Sequence, residues 1–233
     1  MTGKVSIQRL PSGIPGFDAV LGGGVPEFSF NVIAGPPGAG KTTLVHQMMF
    51  ALARPDRRAL FFTVLGESPL KMLRYQQQFT FFDVAKMKES VRFINLAEEV
   101  RGGLAVVLQR IVNEVEAALT GTGVTVVMTA ELEDSYADRR LSPHATAFLT
   151  DAIILQRYVE VDGHLQRVMA VVKLRGSDHS KDLRFFEAIS DGIVVGERIE
   201  DWQGFLTGSP RVASPETQRS PRRRRVSAGG RRR

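Results

Sequence analysis

The chain has 233 residues, 43% of them hydrophobic, enough for one α/β domain with a packed core or a small domain and a tail. It contains no cysteine, which excludes disulfides and cysteine-ligated metal sites, and no apolar run approaches the ~20 residues that span a bilayer. The net charge of +6 is unevenly placed: residues 208–233 hold nine arginines and one glutamate, and the rest is slightly acidic. Any step from the basic pI to nucleic acid therefore concerns that tail alone. Residues 1–5 show no signal-peptide pattern, so a cytoplasmic protein without membrane contact is the expectation.

Residues 9–26 are rich in glycine and proline, which fix turns around one short helix with Phe17, Val20 and Leu21 as its apolar side. Such a segment suits either a lid over the end of a sheet or a place beside a bound ligand. Residues 28–34 read as a buried strand, and residues 43–52 as a helix. Between them stands Gly35-Pro36-Pro37-Gly38-Ala39-Gly40-Lys41-Thr42, which fits G-x-x-x-x-G-K-[ST], the phosphate-binding P-loop. Its glycines let backbone N–H groups close on phosphate oxygens. Lys41 is placed to reach the β- and γ-phosphates, and the Thr42 hydroxyl to hold Mg²⁺. A helix starting near Lys41 adds the positive end of its dipole.

With these residues in view, "SGIPGFDAVLGGGVP", a strand and then "GPPGAGKTTL" resemble the start of a KaiC domain. Members of that family are RecA-like ATPases related to the circadian-clock ATPase and to archaeal RadA-type recombinases. The resemblance implies an α/β RecA-like P-loop fold: a mostly parallel central sheet flanked by helices, with a C-terminal β-hairpin region. It implies ATP and Mg²⁺ as ligands, with Gly35, Gly38, Ala39, Gly40, Lys41, Thr42 and Thr43 around the phosphates. It also implies a homo-oligomer, hexameric in relatives.

Residues 58–64 read as a second buried strand, running into Leu65-Gly66-Glu67-Ser68-Pro69. In the family this strand ends in two glutamates that polarise the attacking water. Here the first position is Gly66 and the second Glu67, which the resemblance makes the catalytic carboxylate; a glutamate beside a helix start at Ser68-Pro69 is the plainer alternative. Residues 69–82 read as a helix, with Phe79, Phe81 and Phe82 as core, and 91–96 as a third strand. Leu104, Val107, Leu108, Ile111, Val112, Val115 and Leu119 fall at helical spacing and predict an amphipathic helix over 104–119.

After that helix the family has a strand ending in the Walker B aspartate, which orders Mg²⁺-bound water, then another helix and strand; this chain passes straight to one strand, 124–131, as if about forty residues were missing. A crossover through helix 104–119 would deliver the surviving strand to the side of the P-loop strand. Glu131 would then lie near the magnesium position, unless it is an ordinary solvated carboxylate.

Residues 150–160 and 168–174 read as strands joined at an Asp162-Gly163 turn. The second ends in Lys173-Leu174-Arg175-Gly176-Ser177-Asp178-His179, which is similar to the family's K-L-R-G-[ST]-x-H element. By that resemblance Lys173 and Arg175 reach the γ-phosphate held by a neighbouring subunit, as an arginine finger does, with Ser177 and His179 beside them. A hairpin over 185–195 turns at Ser190-Asp191-Gly192. Asp191 either approaches the neighbour's nucleotide or is a turn aspartate.

The expected domain spans 1–207, and 208–233 is an arginine-rich disordered tail able to bind nucleic acid or acidic partners by charge alone. The expected function is a regulatory or signalling ATPase acting at a subunit interface. A nucleotide switch with little turnover is the first alternative, and a RadA-like DNA-associated ATPase the second. With one domain, autokinase activity is not expected.

Overall fold

Strand β3 (Phe30–Gly35) is apolar on both faces and buried along nearly all its length. Such a strand needs partners on both edges and cover on both faces. The computed structural model, which describes residues 7–64, 69–119, 123–132, 149–176, 178–200, 202–203 and 211–212, supplies them. Apart from Arg211–Val212, which pair antiparallel with Trp202–Gln203, the tail lies outside the described residues, as do Ser177 and the segment holding Gly66 and Glu67. On one edge β3 pairs parallel with β7 (Ala152–Val161), and on the other with β6 (Val126–Glu131). From β7 the sheet continues antiparallel through β8 (His164–Leu174), β9 (Arg184–Ile189) and β10 (Gly192–Arg198). The order is β10-β9-β8-β7-β3-β6, parallel at β7-β3-β6 and antiparallel beyond.

The strand ends explain this arrangement. Asp151 caps the start of β3: its Oδ2 accepts from Phe30 N at 2.9 Å, while its own N donates to Phe30 O at 2.7 Å. On the other side Thr125 Oγ1 accepts from Phe28 N, and the Asn31 amide donates to Val126 O. The β7–β8 connection is the expected tight turn, with Asp162 at φ 51° and Gly163 at φ 75°, the left-handed pair a two-residue hairpin requires.

Helix α2 (Lys41–Leu52) follows β3 and is buried along most of its length. It packs with Ile33, Met169, Phe186 and Ile193 and with the N-terminal segment, where α1 (Phe17–Val20) sinks Phe17, Val20 and Leu21 into the same core. That segment is joined to itself by β1 (Arg9–Leu10) and β2 (Val25–Pro26). Gln47, fully inside, accepts from Ile193 N at 2.6 Å and so ties α2 to β10.

Strands β4 (Ala59–Thr63) and β5 (Val91–Asn95) pair parallel with each other but form no ladder with the main sheet among the described residues. The predicted helix over 69–82 ends early: α3 spans Pro69–Gln76 and gives way to a turn, and a separate helix α4 (Val84–Glu89), capped by Asp83, lies beyond the predicted range. Phe81 and Phe82 of the turn are half-buried and pack on the core residue Phe50, while Phe79 stacks on Phe81. A short α5 (Ala97–Arg101) precedes α6 (Leu104–Ala118), which was expected to bury its apolar stripe. Only part of it does. Val107 sits against Ile94 and Leu96, with Ile111 beside them, whereas Leu104, Leu108 and Val112 remain 72%, 51% and 46% exposed. Strand β4 is likewise only half-buried, and among the described residues no strand links it to β6.

Two stability predictions follow from this packing. His46 lies wholly buried in α2 against Phe61 and Phe93, and burial pushes its pKa down to about 4, against a smaller pull from Gln76. The unfolded chain, with an imidazole near 6.5, takes up the proton first, so stability is full above that value and falls as pH drops toward 4. Between about pH 7.5 and 5 the loss should be about 2 kcal/mol, read from urea midpoints, and His46→Leu should abolish that component. A Cβ at Gly35 would lie 2.5 Å from Gln156 O, which is backbone of β7 and cannot step aside. Gly35→Ala should therefore lower stability by about 1–3 kcal/mol with an unchanged denaturant slope.

Candidate nucleotide site

The loop between β3 and α2 turns at Gly38 (φ 75°) and Gly40 (φ 95°), conformations that only glycine adopts without strain. They aim the loop toward the start of α2, whose first turn carries no acidic residue to offset the dipole. Ala39 is buried, Thr43 half-buried and Thr42 exposed on the first helical turn. Lys41 is buried, and its Nζ donates to Gly35 O and Pro36 O, both at 2.8 Å. The ammonium is thus stored against the loop's own carbonyls. Burial lowers its pKa, and the field of Glu131 acts against that shift.

Glu131 is brought there by register. It is the last residue of β6 and stands opposite Gly35, the last residue of β3. The next residue, Leu132, donates its N–H to Gly35 O at 3.1 Å. Lys41 and the end of β6 therefore converge on one carbonyl. Glu131 itself is exposed.

Two further residues at the loop were not singled out from the sequence. Ala34 is level with Leu155, so Tyr158 lies beyond the end of β3, alongside the loop. Its hydroxyl is 3.0 Å from where a Cβ on Gly38 would stand. Arg167, the cross-strand partner of Tyr158, holds its guanidinium 5.5 Å from the ring centroid. In sequence both are members of alternating strands, and only the β3–β7 register reveals that they flank the loop.

The Lys173–Arg175 element is elsewhere. Leu174 pairs with Ala152, which pairs with Asn31, so the element sits at the start of β3 while the P-loop leaves its end. Five strand steps separate the two ends, roughly 16 Å. Lys173 Nζ donates to Thr150 O at 2.6 Å, and Arg175 lies 3.7 Å from Asp151. Desolvation lowers the Lys173 pKa, Arg175 adds to the shift and Asp151 opposes it. His179 follows on a segment held to α1 by Ser180 N donating to Val20 O, and its Nδ1 is buried without a hydrogen bond. Asp191, at the β9–β10 turn, accepts from the Thr80 hydroxyl at 3.1 Å and so joins the hairpin to the turn after α3.

Among the described residues there is no group of three or more His, Cys, Asp or Glu suited to a metal ion. That donor set still fits Mg²⁺ carried on a nucleotide, because this ion keeps several waters and takes few protein oxygens beside those of phosphate. The glycine turns, the unopposed helix start, Lys41 and Thr42 fit the triphosphate. No described helix is long and apolar enough to cross a membrane.

Comparison with known proteins agrees with this geometry. The family described as ATPase: KaiC matches residues 10–105 and 102–200. The two matched pieces overlap at residues 102–105, at the start of α6. A UPF0273 protein of Methanocaldococcus jannaschii is 24% identical over 237 positions, covering 81% of this chain and 96% of that protein. A circadian clock oscillator protein KaiC of Prochlorococcus marinus is 24% identical over 248 positions, covering 93% of this chain. The chain spans about half the length of that clock protein, 49%. Among solved structures, a KaiC-like protein from Pyrococcus horikoshii shares the fold with a TM-score of 0.64 and 24% identity, over 82% of this chain and 100% of that one. The P-loop at the end of β3 and a family match over most of its length identify the chain as a member of the KaiC ATPase family.

Proposed function

We propose that this protein is a Mg²⁺-dependent ATPase of regulatory type that hydrolyses ATP at the boundary between its own copies in the cytoplasm. The observation that carries the proposal is the separation along β3: Lys173 and Arg175 sit at one end and the P-loop at the other. Neither side chain can reach across that length to a nucleotide on its own subunit, but a neighbour's nucleotide is within the reach of a ring-like assembly. Within the P-loop, Lys41, which now donates to Gly35 O and Pro36 O, would hold the β- and γ-phosphate oxygens, and the Thr42 hydroxyl would hold the metal. Bound magnesium withdraws charge from the phosphate oxygens. Arg175, half-exposed beside Asp151, offers the planar fork suited to charge that spreads over the transferring phosphoryl group. Glu67 is the proposed carboxylate that positions water.

One observation favours a second reading, a nucleotide switch with little turnover. The outer edge of β6 bears no ladder among the described residues, so no strand stands between it and β4 to present a metal-orienting aspartate. Hydrolysis depends on that placement more than binding does.

Phosphate release from Mg-ATP across a range of protein concentrations separates the two. Turnover per subunit should rise with concentration and vanish in Lys41→Ala. Lys41→Ala and Arg175→Ala should each be inactive alone, and an equal mixture should regain about a quarter of wild-type turnover, the share of boundaries that join an intact P-loop to an intact arginine. Absence of turnover in folded protein that still binds ATP would favour the switch. Absence of any rescue on mixing would overturn the action of Arg175 across a boundary.

A further inference from the structure

The P-loop supplies a hydroxyl for magnesium at Thr42, but orienting the ion's water shell takes a carboxylate at the end of a neighbouring strand. Glu131 is the described carboxylate whose field acts on Lys41. It closes β6, directly opposite Gly35, at the level where the loop departs. The following residue is fixed by the Leu132 N–H bond to Gly35 O, the same oxygen that stores the Lys41 ammonium. The strand end is therefore locked to the loop, while the Glu131 side chain is exposed and able to turn toward a ligand. A glutamate carries one more methylene than an aspartate, which extends its reach from a strand end.

We propose that Glu131 is the carboxylate that orients the water shell of nucleotide-bound magnesium in this protein, the role an aspartate takes in P-loop enzymes generally. The assignment rests on the ATP site proposed above. Glu131 stands opposite Gly35, whose carbonyl holds the Lys41 ammonium. With Lys41 on the phosphates, the Glu131 carboxylate would accept hydrogen bonds from metal-bound water.

The test is the magnesium dependence of nucleotide affinity, which needs no turnover. The full chain is titrated with ATPγS by calorimetry in excess Mg²⁺ and again in EDTA, for wild type, Glu131→Gln and Glu131→Asp, with thermal melts to show that each is folded. Wild type should bind at least tenfold tighter with Mg²⁺ than without. Glu131→Gln should lose most of that ratio while its affinity in EDTA is unchanged or higher, because Lys41 no longer faces a carboxylate. Glu131→Asp should keep part of the ratio. A Glu131→Gln ratio within twofold of wild type would overturn the proposal, as would an equal loss of affinity in both conditions, which would mark Glu131 as a support for Lys41 alone. A wild type that binds nucleotide with no magnesium effect would overturn this proposal and leave the ATP site standing. A wild type that binds no nucleotide would overturn both.

Discussion

The ladder between β3 and β6 is the constraint on which the site depends. It is parallel and in register from Phe30 opposite Val126 to Gly35 opposite Glu131. A shift by one residue would turn every β6 side chain to the other face and withdraw Glu131 from the loop. The register is held at its start by Thr125 and Asn31, and at its end by Leu132 on Gly35 O. Because Lys41 also donates to that carbonyl, the backbone of the sheet and the cation of the loop share one acceptor. The loop cannot rearrange around a ligand without the end of β6 feeling it.

Polar side chains transmit this order outward. Asp151 joins the start of β3 to β7 and lies against Arg175, so the strand that carries the loop is continuous with the segment bearing the second set of charges. Gln47 clasps the backbone of Ile193, fixing the helix behind the loop to the last hairpin. Inside the core such bonds are strong because no water competes, and losing one leaves a backbone group without a partner. The two ends of β3 are thus chemically distinct but mechanically one piece. This is the property needed if one end holds a nucleotide and the other addresses a neighbour's.

Much of this was legible in the chain. Gly35 to Thr42 between an apolar run and a helical one announced the loop, and Asp162-Gly163 announced its hairpin, because each turn demands glycine at a left-handed position. The place of β6 beside β3 was also foreseeable, since a single strand remained to cover an edge that could not stay bare. Other features were not. Tyr158 and Arg167 look like ordinary strand residues until register sets them beyond the end of β3. The helical spacing over 104–119 gave the helix but overstated its burial: periodicity reports which residues share a stripe, not whether anything lies against it. The helix predicted over 69–82 stops at Gln76, and the phenylalanines after it form a turn that packs onto Phe50, with the Asp83 cap starting a separate helix.

The two outer margins of the main sheet differ in character. The margin at β10 ends in Glu197 and Arg198 across an irregular register, features that discourage a further strand from adding. The margin at β6 runs Val126-Val127-Met128-Thr129-Ala130 with no charge before Glu131, near in sequence to an α6 stripe that faces solvent. An edge of that composition is a ready template for any extended chain that meets it. The property most sensitive to it is the yield of soluble protein during synthesis, when many chains are open at once, more than the equilibrium stability of those that have closed. Crowding and temperature during synthesis would then bear on how much folded protein is recovered, independently of the stability of the closed fold.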